Sequence, residues 1–354
     1  MGHTRSAYCR KLGWLAAVAA VAAFALSAPA QARDLTVVSW GGSYQDAQEK
    51  VYFDPFSDDT GTALLEDSYN GGLAKIRSMV KTDSVTWDVV QVEAPALQRG
   101  CQQGLFAFIP WDKIGARKDF IDGAASDCGV GTIVWGVVMA YNAESVDGQP
   151  DSWADFWNVE QFPGTRGLRK GAKFNLEIAL MADGVPPEKV YDVLRTEAGV
   201  DRAFAKLDEL KPHIQWWEAG AQPPEWLASG DVVMSSAYNG RITAAQKEGQ
   251  PFKISWSGQV YAIDSWAIVR GTPKMDQAVK FIEYASEPEH QARLPEIIPY
   301  GPTHKAAINS VPKDVVPNLP TAPDNLENAL RNETEFWINN EEELDQRFNN
   351  WISN

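Results

Sequence analysis

The first apolar run of the chain, Leu12 to Leu26, follows Arg5, Arg10 and Lys11 and precedes Ser27-Ala28-Pro29-Ala30-Gln31-Ala32. A positive start, a run rich in small residues and an A-x-A end predict a secretory signal peptide over residues 1–32. The run falls short of the ~18 apolar residues a membrane span needs. No later stretch reaches that length, so the expectation is an exported chain whose mature part has no membrane span. Beyond it the pattern alternates. The β-branched run Leu35–Trp40 reads as a strand ending in Gly41-Gly42. Ser43 is placed to cap a helix from Tyr44 to about Ser57, which Gly61 stops. A strand is expected over Ala63–Tyr69, a helix over Leu73–Lys81, a strand over Trp87–Val92 and a helix over Ala94–Gln103.

A second stretch of the same kind runs from about Val137 to Asp264. Strands are predicted at Val137–Asn142, Asp231–Tyr238 and Tyr261–Val269. Helices are predicted at Ser152–Asn158, Leu176–Asp183, Pro187–Arg195 and Asp201–Leu210. From Asn325 the tail is acidic and helical, with Trp337, Phe348 and Trp351 spaced to dock an apolar face. Strand–helix–strand alternation predicts an α/β fold with mainly parallel sheets flanked by helices. Ligands on such sheets bind beyond the carboxyl ends of the strands, where Trp40 to Tyr44 and Glu93 lie.

Composition sharpens this picture. At 354 residues the chain has two domains' length on a prior of ~150 residues each. Its net charge of −15 argues against nucleic acid as a partner. Loss of residues 1–32 removes three basic residues, leaving 29 Lys and Arg against 47 Asp and Glu, a net of −18. Cys9 leaves with them, and the remaining pair, Cys101 and Cys128, is expected to form a disulfide in an oxidising compartment. That closure contributes about 3–4 kcal/mol by loop entropy. His213, His290 and His304 are scattered and no C-x-x-C occurs, so no metal and no cofactor are expected. Nucleophile-elbow, zincin, P-loop and dinucleotide signatures are absent in their required contexts. An exported hydrolase or lyase working with carboxylates alone is the alternative reading. A structural envelope protein is a third.

The blocks VVSWGGSYQDAQEKVYFDPF, WDVVQVEAP, VWGVVMAYN, FPGTRGL, LEIALMADG, SGDVVMSSAYNGR, YAIDSWAIVRGTPK and PYGPTHKAA follow one another in an order that resembles the periplasmic solute-binding proteins of ABC importers. Within these the chain is similar to the spermidine/putrescine-binding branch. The resemblance covers essentially the whole mature chain. It implies a periplasmic, monomeric, non-enzymatic protein that hands a small amine or amino acid to an ABC permease in the inner membrane. It also implies two lobes joined by two crossing strands: residues 33–140 with 266–310, and residues 141–265 with 311–354. Aromatic walls would suit an ammonium, which a ring face attracts by ~0.5–2 kcal/mol.

The departures from that branch point to the ligand. Polyamine binders place acidic or hydroxyl residues after the first-strand Trp; here Trp40 is followed by Gly41, Gly42 and Ser43, whose backbone N–H groups suit an anion. In SAYNGR, Tyr238 keeps the aromatic position, but Arg241 replaces a polar or acidic residue and would repel a polycation. Asp264 retains the family's amine-binding aspartate. Phe174 and Asn175 stand where an acidic pair is usual. One cation and one anion suggest a zwitterion with separated charges, such as 4-aminobutyrate. The candidate contacts are Trp40, Gly42, Ser43, Tyr44, Glu93, Asn175, Tyr238, Arg241, Tyr261 and Asp264. Trp216 and Trp217 are adjacent, so at most one of them points into any given face and one is assigned to the core; Trp135, Trp153, Trp157, Trp337 and Trp351 are assigned to packing.

Overall fold

The structure, a computed structural model, describes residues 33–354; the signal peptide expected over 1–32 lies outside the described residues. The strands are β1 (Leu35–Ser39), β2 (Leu64–Ser68), β3 (Val89–Glu93), β4 (Val130–Asn142), β5 (Arg166–Arg169), β6 (Ile214–Trp217), β7 (Met234–Tyr238), β8 (Phe252–Ile268), β9 (Gly301–Pro302) and β10 (Leu330–Arg331). They run in the order β2-β1-β3-β8-β4-β7-β5-β6, with β10 on β8 and β9 on β4. β1 pairs in parallel with β2 and β3, and β5 pairs in parallel with β6 and β7. The long strands β4 and β8 are antiparallel to each other, to β7 and to β3. The architecture is thus two mainly parallel groups linked through two long central strands. β1, β3 and β4 are buried at every position, as strands covered by helices on both faces must be.

The central strands begin earlier than the apolar pattern suggested. β4 starts at Val130 rather than Val137, and β8 at Phe252 rather than Tyr261. Gly131, Gly136 and the polar stretch Ser255–Gln259 interrupt the hydrophobic reading. Partners on both sides satisfy the backbone there, and register shifts between Gly131 and Ile133 and between Val137 and Met139 absorb the irregularity. β5 (RGLR) has almost no apolar signature, and β6 (IQWW) is apolar but only four residues long. Arg166 of β5 is nonetheless fully buried, because its guanidinium donates to the carbonyls of Phe156 at 2.8 Å and Gly164 at 2.7 Å.

The first helical stretch starts at Gly42, with Gly41 rather than Ser43 at its N-cap. It passes through a π turn at Glu49–Phe53, continues to Thr60 and ends on Gly61 at φ +67°. Cys101 and Cys128 are bonded, with Cα atoms 5.8 Å apart. The C-terminal helix (Thr334–Ser353) docks as its apolar spacing requires. Trp337 and Phe348 are fully buried, and the Trp337 indole donates to Glu177 Oε1 at 2.7 Å. Residues Leu35–Asn354 form one compact unit. Among the described residues no helix is long and apolar enough to cross a membrane.

Candidate ligand-binding site

Strand register assembles the site. Glu93 of β3 stands directly opposite Asp264 of β8, and Asp264 opposite Ile133 of β4. Side chains two apart share a face, so Gln91, Glu93, Asp264, Ile133 and Trp135 project to the same side of the sheet. Tyr238, paired with Val137, joins them. Helices then roof this face and leave a small cavity lined by aromatic and charged side chains.

Asp264 is 2% exposed. One carboxylate oxygen accepts from the Trp135 indole at 2.6 Å; the other accepts from the Trp40 indole at 2.7 Å and from Gln91 Nε2 at 3.1 Å. These three neutral donors use three of roughly four lone-pair sites on a carboxylate and leave its charge uncompensated. Burial, and secondarily the charge of Glu93, push its pKa up to about 7 despite the three hydrogen bonds. Gln91 is itself oriented by Ser39, Tyr44 and Gln48.

Arg241 closes the opposite wall. It sits in the first turn of the helix Asn239–Lys247, which Tyr238 caps, and is 4% exposed. Its Nη2 donates to the Trp40 carbonyl at 3.2 Å, and its guanidinium bonds the buried Tyr300 side chain. The Nε–H has no partner, and no carboxylate among the described residues pairs with Arg241. Trp40 therefore touches both charges: its indole bonds the anion and its backbone carbonyl the cation. Tyr238 meets Trp135 edge-on at 5.1 Å, and Tyr44 meets Tyr300 at 5.1 Å, which gives the cavity aromatic walls.

Glu93 is engaged differently. It accepts from Arg169 at 3.1 Å and from Lys173. Burial alone would raise its pKa, but the charges of Lys173 and Arg169 outweigh that and bring it to about 2. It is a neutralised member of an ion network rather than a free acid.

Of the ten expected contacts, Trp40, Tyr44, Glu93, Tyr238, Arg241 and Asp264 line this cavity. Gly42 and Ser43 do not, although Gly42 lies against Arg241. Asn175 is buried beneath the site, where its amide donates to the carbonyls of Arg169 and Gly171. Tyr261 lies on β8, three residues from Asp264 and hence on the other face of the strand. Its backbone carbonyl accepts from Asn332 at 2.8 Å. The residues not anticipated are Asn70, Ile133, Trp135, Arg169, Glu218, Gly220 and Tyr300. Trp135 is the main correction: assigned to packing, it bonds Asp264. The signal for it was the alternation Ile133-x-Trp135 opposite an aspartate, which becomes visible only once the register is known. Away from the cavity, Glu287, Glu289 and His290 each offer a ligand atom within 4.8 Å of the others; none of them lines the site.

Two lobes' worth of α/β structure meeting at an aromatic cavity, with charges set to hold a small polar molecule, is the arrangement of a solute receptor. Residues 52–323 match the bacterial extracellular solute-binding protein family, and the chain belongs to it. It is a solute-binding protein, not an enzyme. It is 55% identical over 331 residues to a gamma-aminobutyric acid-binding protein of Pseudomonas aeruginosa, covering 94% of each chain. It is 26% identical over 196 residues to spermidine/putrescine-binding periplasmic protein 1 of Haemophilus influenzae, covering 54% of this chain and 52% of that one. Among solved structures it is similar to the Atu4243 GABA receptor, with a TM-score of 0.79, 32% identity and coverage of 90% and 98%.

Proposed function

We propose that this chain is the periplasmic receptor of an ABC importer and that its ligand is 4-aminobutyrate. The observation that carries the reading is a pair of opposite charges, Arg241 and Asp264, on the walls of one small cavity. Each is buried, and among the described residues neither has a partner of opposite sign. Burying a lone charge is costly, and an ω-amino acid relieves both costs at once. Its carboxylate takes the free Arg241 donors, where charge-assisted bonds contribute about 1.5–3 kcal/mol each. Its ammonium takes the remaining lone-pair site of Asp264, among Trp40, Tyr44 and Trp135. A diamine would satisfy Asp264 and confront Arg241 with a like charge. The 55% identity to a gamma-aminobutyric acid-binding protein supports the same ligand.

In this reading the lobes are residues 33–140 with 266–310 and residues 141–265 with 311–354. β4 and β8 are the crossing strands, and the lobes close over the ligand. The secretory segment is removed on export, and the monomer delivers its ligand to a permease in the inner membrane. Isothermal titration with 4-aminobutyrate, putrescine and spermidine tests the ligand. The expected result is micromolar or tighter binding of 4-aminobutyrate, about −8 kcal/mol or better, with both polyamines at least ~100-fold weaker. Tight putrescine binding without 4-aminobutyrate binding overturns it.

A further inference from the structure

Trp40, Asn70, Glu93 and Arg169 line the ligand cavity and also a wider, open vestibule, whose far side is formed by the C-terminal helix. Side chains shared by two adjoining spaces form the partition between them. Within this partition one ion pair runs across, from Glu93 at the end of β3 to Arg169 at the end of β5. It is braced from outside. Lys173 also holds Glu93, and Glu341 of the C-terminal helix accepts from Lys173 at 3.1 Å and from Arg99 at 2.6 Å. Charges alternate in sign along Arg169, Glu93, Lys173, Glu341 and Arg99, so every step is attractive, and the side chains forming the gate are largely buried.

We propose that the Glu93–Arg169 pair is a length gate that makes the site selective for short ω-amino acids; this rests on the ω-amino acid reading above. Glu93 stands opposite Asp264 in the β3–β8 register, so the gate adjoins the ammonium end. A longer ligand anchored at Arg241 drives its ammonium past Asp264 toward the partition. There it meets the Arg169 guanidinium, a like charge, while Glu93 is already neutralised by two cations. Such a repulsive element discriminates without any new attractive contact. Removing the Arg169 side chain eliminates the repulsion and opens the cavity into the vestibule, which has room for the extra methylenes.

The test is titration of the purified protein with 3-aminopropionate, 4-aminobutyrate, 5-aminovalerate and 6-aminohexanoate, for wild type, Arg169→Ala, Arg169→Lys and Glu93→Gln. Wild type should bind 6-aminohexanoate at least ~10-fold more weakly than 4-aminobutyrate. Arg169→Ala should cut that ratio to about threefold or less, and Arg169→Lys should restore it, because the like charge returns. Glu93→Gln leaves the Arg169 cation without its carboxylate partner, which strengthens the like charge facing a long ligand, and should widen the ratio. Being isosteric, it keeps the test alive if Arg169→Ala does not fold, which circular dichroism checks. A wild type without length preference overturns the gate, as does an Arg169→Ala protein that weakens all four ligands equally. A wild type that binds none of the four overturns the functional reading and the gate together; one that binds 4-aminobutyrate with an unmoved ratio overturns the gate alone.

Discussion

A Cβ on Gly42 would lie 2.7 Å from Nη1 of Arg241, and the Gly42 backbone has φ +55°. Only glycine adopts this conformation freely while letting a guanidinium pack against its backbone. Arg241 cannot swing aside without losing its bonds to Trp40 and Tyr300. Gly42→Ala should therefore displace the guanidinium and weaken 4-aminobutyrate binding by roughly tenfold, with about 1–2 kcal/mol of backbone strain lowering the melting temperature. Titration and thermal denaturation of the same variant measure the two effects separately.

Arg241→Met should behave oppositely in stability and in binding. It removes a buried cation that lacks an acidic partner, so the unliganded protein should be as stable as wild type or more so. Ligand affinity should nonetheless fall by at least ~100-fold, the usual cost of deleting one side of a buried charge pair. A melting temperature that drops sharply without ligand would show that Arg241 is a structural residue.

Asp264 makes binding pH-dependent. Its pKa is about 7 in the folded protein and ~3.9 when unfolded. Between these values the folded state holds the proton more tightly, so the unliganded protein loses stability as pH rises from about 4 to about 7. An ammonium ligand requires the carboxylate, so affinity runs the other way. It should be flat above about pH 7.5 and fall toward ~tenfold per unit below pH 7. Glu93, at about 2, stays ionised across this window and adds no slope. Titrations from about pH 5.5 to 8.5 should show about half a proton released per ligand bound at pH 7, rising toward one below about pH 6, and Asp264→Asn should abolish binding.

The Cys101–Cys128 bond ties the end of the helix Ala94–Gln102 to the segment entering β4. Reduction, or the double serine variant, should cost about 2–4 kcal/mol in urea denaturation. Neither cysteine lines the cavity, so the dissociation constant for 4-aminobutyrate should change by less than about twofold.

Much of the fold was legible because short apolar strands and capped helices declare themselves locally. β1, β2, β3 and β7 fall within a few residues of their expected positions. β5 and β6 were invisible because RGLR and IQWW take their stability from neighbours: backbone carbonyls for Arg166 and aromatic packing for Trp216 and Trp217. The same distinction divides the site. Arg241 and Asp264 were readable as an unexpected cation and a costly aspartate in an apolar strand. Trp135 and Arg169 were not, since a Trp in a strand normally packs and an Arg beside a turn is normally solvated.

By itself the chain pointed to its disulfide, its α/β class and the two opposite charges of the cavity, because each rests on composition or near-neighbour pattern. The tertiary structure decided the rest. Register across β3, β8 and β4 joins residues as far apart as Gln91, Trp135 and Asp264 into one hydrogen-bonded cluster. Long-range packing placed Glu93, which lines the cavity, in a buried ion network with Arg169 and Lys173, since a carboxylate's role depends on which cations fold against it.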